Sequence, residues 1–251
     1  MTDSTVAAAG AAMTGRRVVI TGSHPLALGV ATWFADGGAA VAMMAETGGP
    51  IPSGITAVEC DFASSEGVRS AVGASVSALG GVDQFVHAWL APGLIDRAGF
   101  MDLDEERWIS LCEGSLAGAW WLSQQAIGPL VAGGGGSVVY LVPSVGLTGA
   151  AGFSMLATVA EGVRVLAKGC GRQWGKHHVT ANIVVTEPGL WVGSAISDEL
   201  FRSISLSVPA FPQGADAHDD LGPLVSMLGD PASHYYTAGT VMADGGIWMA
   251  L

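Results

Sequence analysis

The chain has 251 residues, half of them hydrophobic and 13% charged, with a formal charge of −12. That composition suits one large α/β domain and excludes a disordered chain, while the negative charge excludes a nucleic-acid partner. Cys60, Cys112 and Cys170 form neither a metal-binding spacing nor an even disulfide set, so no metal site and a reducing, cytoplasmic setting are expected.

Residues 1–14 are small and lack a basic start followed by an apolar run; they predict a flexible N-terminal tail before a single domain over 15–251. Short apolar runs at 17–21, 39–44, 56–60, 83–87, 137–142, 179–185 and 239–243 predict strands. They are continuous rather than alternating, which points to burial on both faces of a parallel sheet. Helix-length segments at about 26–37, 64–79, 104–130, 151–174 and 215–228 lie between most of them. Ser64 and Ser65 signal the start of the second of these, and Asp102 and Asp104 are candidate caps for the third. Gly114 to Ala160 contains no charged residue, but Pro129, Gly133 to Gly136 and Pro143 interrupt it. A membrane span needs about 20 mostly apolar residues without such breaks, so no membrane association is expected. The loop around 190–213 is expected to pass over the carboxyl edge of the sheet. Strand–helix alternation predicts an α/β fold: a single doubly wound Rossmann-type domain with a seven-stranded, mainly parallel sheet and helices on both faces.

Motifs spread along the chain from about residue 15 resemble the short-chain dehydrogenase/reductase family. Thr21-Gly22 after the first strand is similar to the opening of that family's TGxxxGxG turn. Asp61-Phe62 resembles its adenine contact, "GGVDQFV" at 80–86 the entry to its fourth strand, and Pro188-Gly189 the turn after its sixth. "TAGTVMADGGIWM" at 237–249 resembles its last strand and Asp-Gly-Gly turn. The resemblance implies NAD or NADP as cofactor, if any binds, with Gly22, Ser23, Glu46, Asp61, Phe62, Ala88, Pro188 and Gly189 as its contacts. Glu46 would meet a ribose hydroxyl, or it is a surface loop acid.

The family's chemistry is not carried over with its fold. Leu26 and Leu28 stand where the turn needs glycines so that backbone N–H groups can approach a pyrophosphate. Gly29 either compensates through a shifted turn or is incidental. The end of the fourth strand reads His87-Ala88-Trp89-Leu90 in place of Asn-Asn-Ala-Gly. Trp89 and Trp191 are expected to fill part of the nicotinamide space, or else to pack ordinary core. The family's helix Asn falls on Ser115, its catalytic Ser on Pro143 beside Ser144, and its Tyr and Lys on Leu156 and Ala160. In the family, that lysine lowers the tyrosine's pKa across one helical turn, so that the phenol exchanges a proton near neutral pH. Leucine and alanine cannot do so. The two lysines, Lys168 and Lys176, are no substitute: Lys168 lies about 12 Å further along the helix. None of Tyr140, Tyr235 and Tyr236 is on that helix. The halohydrin dehalogenases, non-redox relatives, use Ser, Tyr and Arg, and this chain lacks the last two.

His87 is a candidate proton carrier, with Ser144 or Glu187 nearby, or a structural histidine. His24 is read as a loop cap, and His177-His178 as a solvated turn. Trp120, Trp121, Leu122, Leu156, Val163 and Leu166 give helices 104–130 and 151–174 extensive apolar faces. Those faces imply an oligomer, with a second copy or an active paralogue, or else packing against the sheet alone. The chain is therefore expected to be a non-catalytic subunit or binding protein with no cofactor and room for a small apolar ligand. The alternative is an atypical enzyme using a shifted cofactor mode, or non-redox chemistry through His87 and Ser144. An ordinary reductase, misaligned by a turn, is hard to reconcile with the lysine count.

Overall fold

The computed structural model describes residues 13–192, 210–211 and 213–249. The expected tail, apart from its last two residues, and most of the expected 190–213 loop lie outside them. In chain order the main elements are β1 (Arg17–Thr21), α1 (Pro25–Asp36), β2 (Ala40–Ala45), β3 (Thr56–Glu59) and α2 (Ser65–Leu79). There follow β4 (Gln84–His87), α3 (Gly114–Ala132), β5 (Gly136–Pro143), α4 (Ser154–Trp174), β6 (Val179–Thr186), α5 (Gly222–Leu228) and β7 (Thr240–Ala243). The seven strands form one sheet in the order β3-β2-β1-β4-β5-β6-β7, and every pairing is parallel. The order reverses between β1 and β4, so the adjoining loops diverge there and leave a crevice at the strands' carboxyl ends.

The continuous apolar strands are buried on both faces because successive side chains point to opposite sides. Val138, Tyr140 and Val142 of β5 pack towards α2, α3 and α4, whereas Val139 and Leu141 face α1 and α5. Ser64 caps α2 by accepting a hydrogen bond from the Gly67 N–H, and Asp104 caps the turn after it by accepting one from Arg107. Asp102 makes no such cap; it closes a separate short turn over Phe100–Asp102. The helix expected over 104–130 is in three pieces: one turn at Glu105–Arg107, a wide π-type turn at Trp108–Glu113, and then α3. The residue inserted in the wide turn breaks the 3.6-residue period.

Burial corrects the expected apolar helix faces. Leu122, Leu156 and Val163 point into the core, and Trp121 and Leu166 pack partly against it. What the expected 104–130 and 151–174 segments leave outward is narrower: Ile109, 49% exposed, Trp120, 50%, and Val165, 60%.

The 217–221 segment lies directly on α1. A Cβ on Gly29 would come within 2.5 Å of the Ala217 Cβ, so Gly29 is a close-packing glycine and not part of a shifted phosphate turn. His218 in the same segment bonds the carboxylates of Asp219 at 2.7 Å and Asp36 at 3.2 Å. Burial pushes its pKa down, but the two carboxylates outweigh that and leave it raised. A folded pKa above the unfolded value of about 6.5 stabilises the protein fully below that value, and the gain is lost as pH rises through the folded pKa. The Tm difference between the wild type and His218→Gln should therefore be largest below about pH 6 and shrink towards pH 8. Thermal melts across that range check it; a difference independent of pH would remove the ion pairs from the account.

Candidate functional site

The crevice is built around the hydroxyl of Thr21, the last residue of β1. Its Oγ1 accepts hydrogen bonds from the backbone N–H groups of Ala88 at 3.1 Å and Trp89 at 3.2 Å, and lies 3.2 Å from His87 Nδ1. With two donors already on the oxygen, its own proton goes to Nδ1. Gly22 follows with φ +96°, a conformation suited to glycine, and a Cβ there would stand 3.2 Å from the Ala88 carbonyl oxygen.

His24 reaches out of this turn and across the crevice. Its Nε2 is 2.5 Å from the Ala88 carbonyl oxygen, which can only accept, so the proton is on Nε2 and Nδ1 is a bare acceptor. Nδ1 is buried and has no hydrogen-bond partner among the described residues. Burial pushes the His24 pKa down, against the opposing bond to Ala88, and favours the neutral ring. That ring stacks on Trp191, centroids 4.6 Å apart, and the Trp191 indole N–H is anchored to Thr186 Oγ1 at 2.8 Å. The pair therefore ties the β1 turn to the loop after β6. Pro25 at the start of α1 offers no N–H, and Leu26 turns away from the crevice into the core.

Trp89 lines the same cleft as Trp191, and its other face is packed. It stacks on Phe62, centroids 4.5 Å apart, against Gly118 of α3, where a Cβ would meet the indole at 2.7 Å. Its Nε1 is also buried without a hydrogen-bond partner among the described residues. Gly22, Ser23, His24, Glu46, Trp89 and Trp191 wall a cleft of about 240 Å³. Ala88 takes part through its carbonyl. Phe62 lies behind Trp89, and Asp61 Oδ1 is engaged by the Ala63 N–H at 3.0 Å. Pro188 and Gly189 belong to the turn that carries Trp191: the Pro188 carbonyl accepts its N–H, and neither residue lines the cleft.

At the positions expected to match the family's catalytic groups, Ser115 Oγ accepts the Ala91 N–H at 3.0 Å and so fixes the loop after β4. Pro143 ends β5, and the Ser144 hydroxyl is buried with no hydrogen-bond partner among the described residues. Leu156 and Ala160, 3% and 1% exposed, are in the core. His87 does not meet Ser144 or Glu187; it is enclosed between Thr21 and the edge of Tyr140, and burial pushes its pKa down to about 3. Tyr140 is bonded to Ser123 within the core, while Tyr236 sits before β7, at the opposite end of the sheet from the crevice.

A second cavity, of about 420 Å³, opens beside Glu187 after β6 and shares no lining residue with the cleft. Glu187 is 6% exposed and accepts the Ala215 N–H at 3.1 Å. Ala215 and Asp220, which complete this cavity, were not legible as partners of Glu187, since 28 and 33 residues separate them from it. His24 was equally obscured: its one signal was a polar ring immediately before a proline at a helix start.

A parallel sheet in this order, with a Thr-Gly turn at the switch point and an Asp-Gly-Gly turn after the last strand, defines a Rossmann-type short-chain dehydrogenase/reductase. The chain belongs to that family: residues 22–248 match the family model described as enoyl-(acyl carrier protein) reductase. It is 27% identical over 238 residues to the 3-oxoacyl-[acyl-carrier-protein] reductase MabA of Mycobacterium tuberculosis, covering 93% of each chain. It is 26% identical over 196 residues to the 3-oxoacyl-[acyl-carrier-protein] reductase FabG of Staphylococcus aureus, covering 77% of each. A Sinorhizobium meliloti 1021 structure assigned to the short-chain alcohol dehydrogenases shares the fold, with TM-score 0.80 and 23% identity over 93% of this chain and 96% of that one. Among the described residues, no helix is long and apolar enough to cross a membrane.

Proposed function

We propose that this chain keeps the short-chain dehydrogenase/reductase fold without its NAD(P)-dependent hydride transfer, and serves as a non-catalytic subunit or binding protein. The observation that carries this is the pair Leu156 and Ala160: at the acid/base positions they offer no proton and lie packed in the core. Cofactor fit points the same way. The His24 imidazole joins the β1 turn to the Ala88 carbonyl, over the backbone a pyrophosphate would need to approach. The cleft beside it, about 240 Å³, is below the roughly 300–1,000 Å³ typical of drug-sized ligands, and a dinucleotide is larger still. It suits a small, largely apolar molecule. The enzyme alternative has less support: His87 is neutral and walled in, and the Ser144 hydroxyl is sealed from the surface.

The outward Trp120 and Val165 favour an oligomer through α3 and α4, with a second copy or an active relative as the other member. Calorimetric titration with NAD⁺, NADH, NADP⁺ and NADPH tests the cofactor claim. No saturable heat is expected up to about 1 mM, the upper end of the usual KM range. Micromolar binding of any of the four would overturn it.

A further inference from the structure

We propose that the cavity beside Glu187 is a binding site for a small organic cation, an ammonium group on an apolar body. The Glu187 carboxylate is 6% exposed at the carboxyl end of β6. An ionised carboxylate that deep is costly unless paired or fully hydrogen-bonded. Among the described residues its one hydrogen bond is from the Ala215 N–H to Oε2, at 3.1 Å. The ion pairs formed among those residues use other acids, and none involves Glu187. Oε1 lies beside Gly214, where a Cβ would stand 3.6 Å away, and no hydrogen bond to it is formed among the described residues.

The cavity above it holds about 420 Å³, within the range of small-ligand sites. A second carboxylate, Asp220, and the Gln213 amide line it, while Phe211, Ala215, Leu221 and Ala243 supply apolar wall; among the described residues no lysine or arginine does. Asp220 Oδ2 already holds the Asp216 N–H at 2.8 Å, which leaves Glu187 as the principal counter-charge. Two acids, no base among the described residues and a largely apolar wall select a ligand that is cationic at one end and apolar at the other. This site shares no lining residue with the cleft at the β1 turn, so it stands whether or not a dinucleotide binds there.

The test is calorimetric titration of the full chain with cyclohexylammonium, cyclohexanol and cyclohexanecarboxylate, three probes of similar shape and different charge. The ammonium should bind about tenfold or more tightly than the alcohol, as a charge-assisted hydrogen bond predicts, and the carboxylate should not bind. Glu187→Gln should abolish the preference for the ammonium. Equal binding of ammonium and alcohol in the unaltered chain would overturn the proposal, and that comparison needs no variant to fold. A preserved preference in a folded Glu187→Gln variant would overturn it as well.

Discussion

Placing a Tyr-Lys pair at the positions expected to match the family's, Leu156→Tyr with Ala160→Lys, should lower Tm by about 10 °C or more and produce no reductase. Both positions are core: Leu156 is 3% exposed and Ala160 1%, and a Cβ on Gly146 would stand 3.1 Å from the Ala160 Cβ. Overfilling a packed core costs about 1–3 kcal/mol, and a lysine ammonium without a partner adds several more. At roughly 2–4 °C per kcal/mol for a chain of this size, the sum reaches the stated fall. Leu156→Met, which conserves volume, should cost under about 1.5 kcal/mol and shows that the loss comes from size and charge rather than from any change. Calorimetric melts and NAD(P)H oxidation with a panel of ketones read the two halves of the expectation. A stable double variant with turnover would mean that the crevice still accepts the cofactor, and that the other departures from the family pattern do not prevent the reaction.

The fold could be read from the sequence because its signal is physical and repeated. Each strand is a continuous apolar run, as burial on both faces requires, and Ser64, Asp104 and the Asp-Gly-Gly turn mark boundaries through local hydrogen bonding. The site was legible only as a set of substitutions. That Leu26 and Leu28 stand where the resemblance leads one to expect glycines is visible in the chain; that Leu26 turns inward is set by the cluster it joins with Val184, Trp191 and Leu221, residues far away in sequence. Trp89 and Trp191 looked equivalent because both follow strand ends at the crevice. Phe62 and Gly118 draw the first to one face of the sheet, and His24 with Thr186 holds the second over the other. The helix faces misled for a related reason: apolar residues alone do not tell a face packed on the sheet from one turned outward. Only burial separated Leu122 and Val163 from Trp120.

Thr21→Val should be among the most damaging single substitutions, although it keeps the shape of the side chain. The hydroxyl is the acceptor for two buried N–H groups, those of Ala88 and Trp89, and the donor to His87 Nδ1. Valine fills the volume but strands all three groups, and each unsatisfied buried polar group costs about 1–3 kcal/mol. A loss of about 3 kcal/mol or more follows, equivalent to a fall in Tm of roughly 6–12 °C. Thr21→Ser is the control. It keeps the oxygen and removes one buried methyl, so it should cost about 1 kcal/mol. Urea unfolding midpoints rank the two variants, and hydrogen exchange at the Ala88 and Trp89 amides locates the damage. If valine and serine were equally harmful, the hydroxyl would add nothing to the backbone pairing and packing that already join β1 to β4. If valine is much the worse, one hydroxyl holds the end of β4 against the β1 turn, and with it the Ala88 carbonyl on which His24 rests.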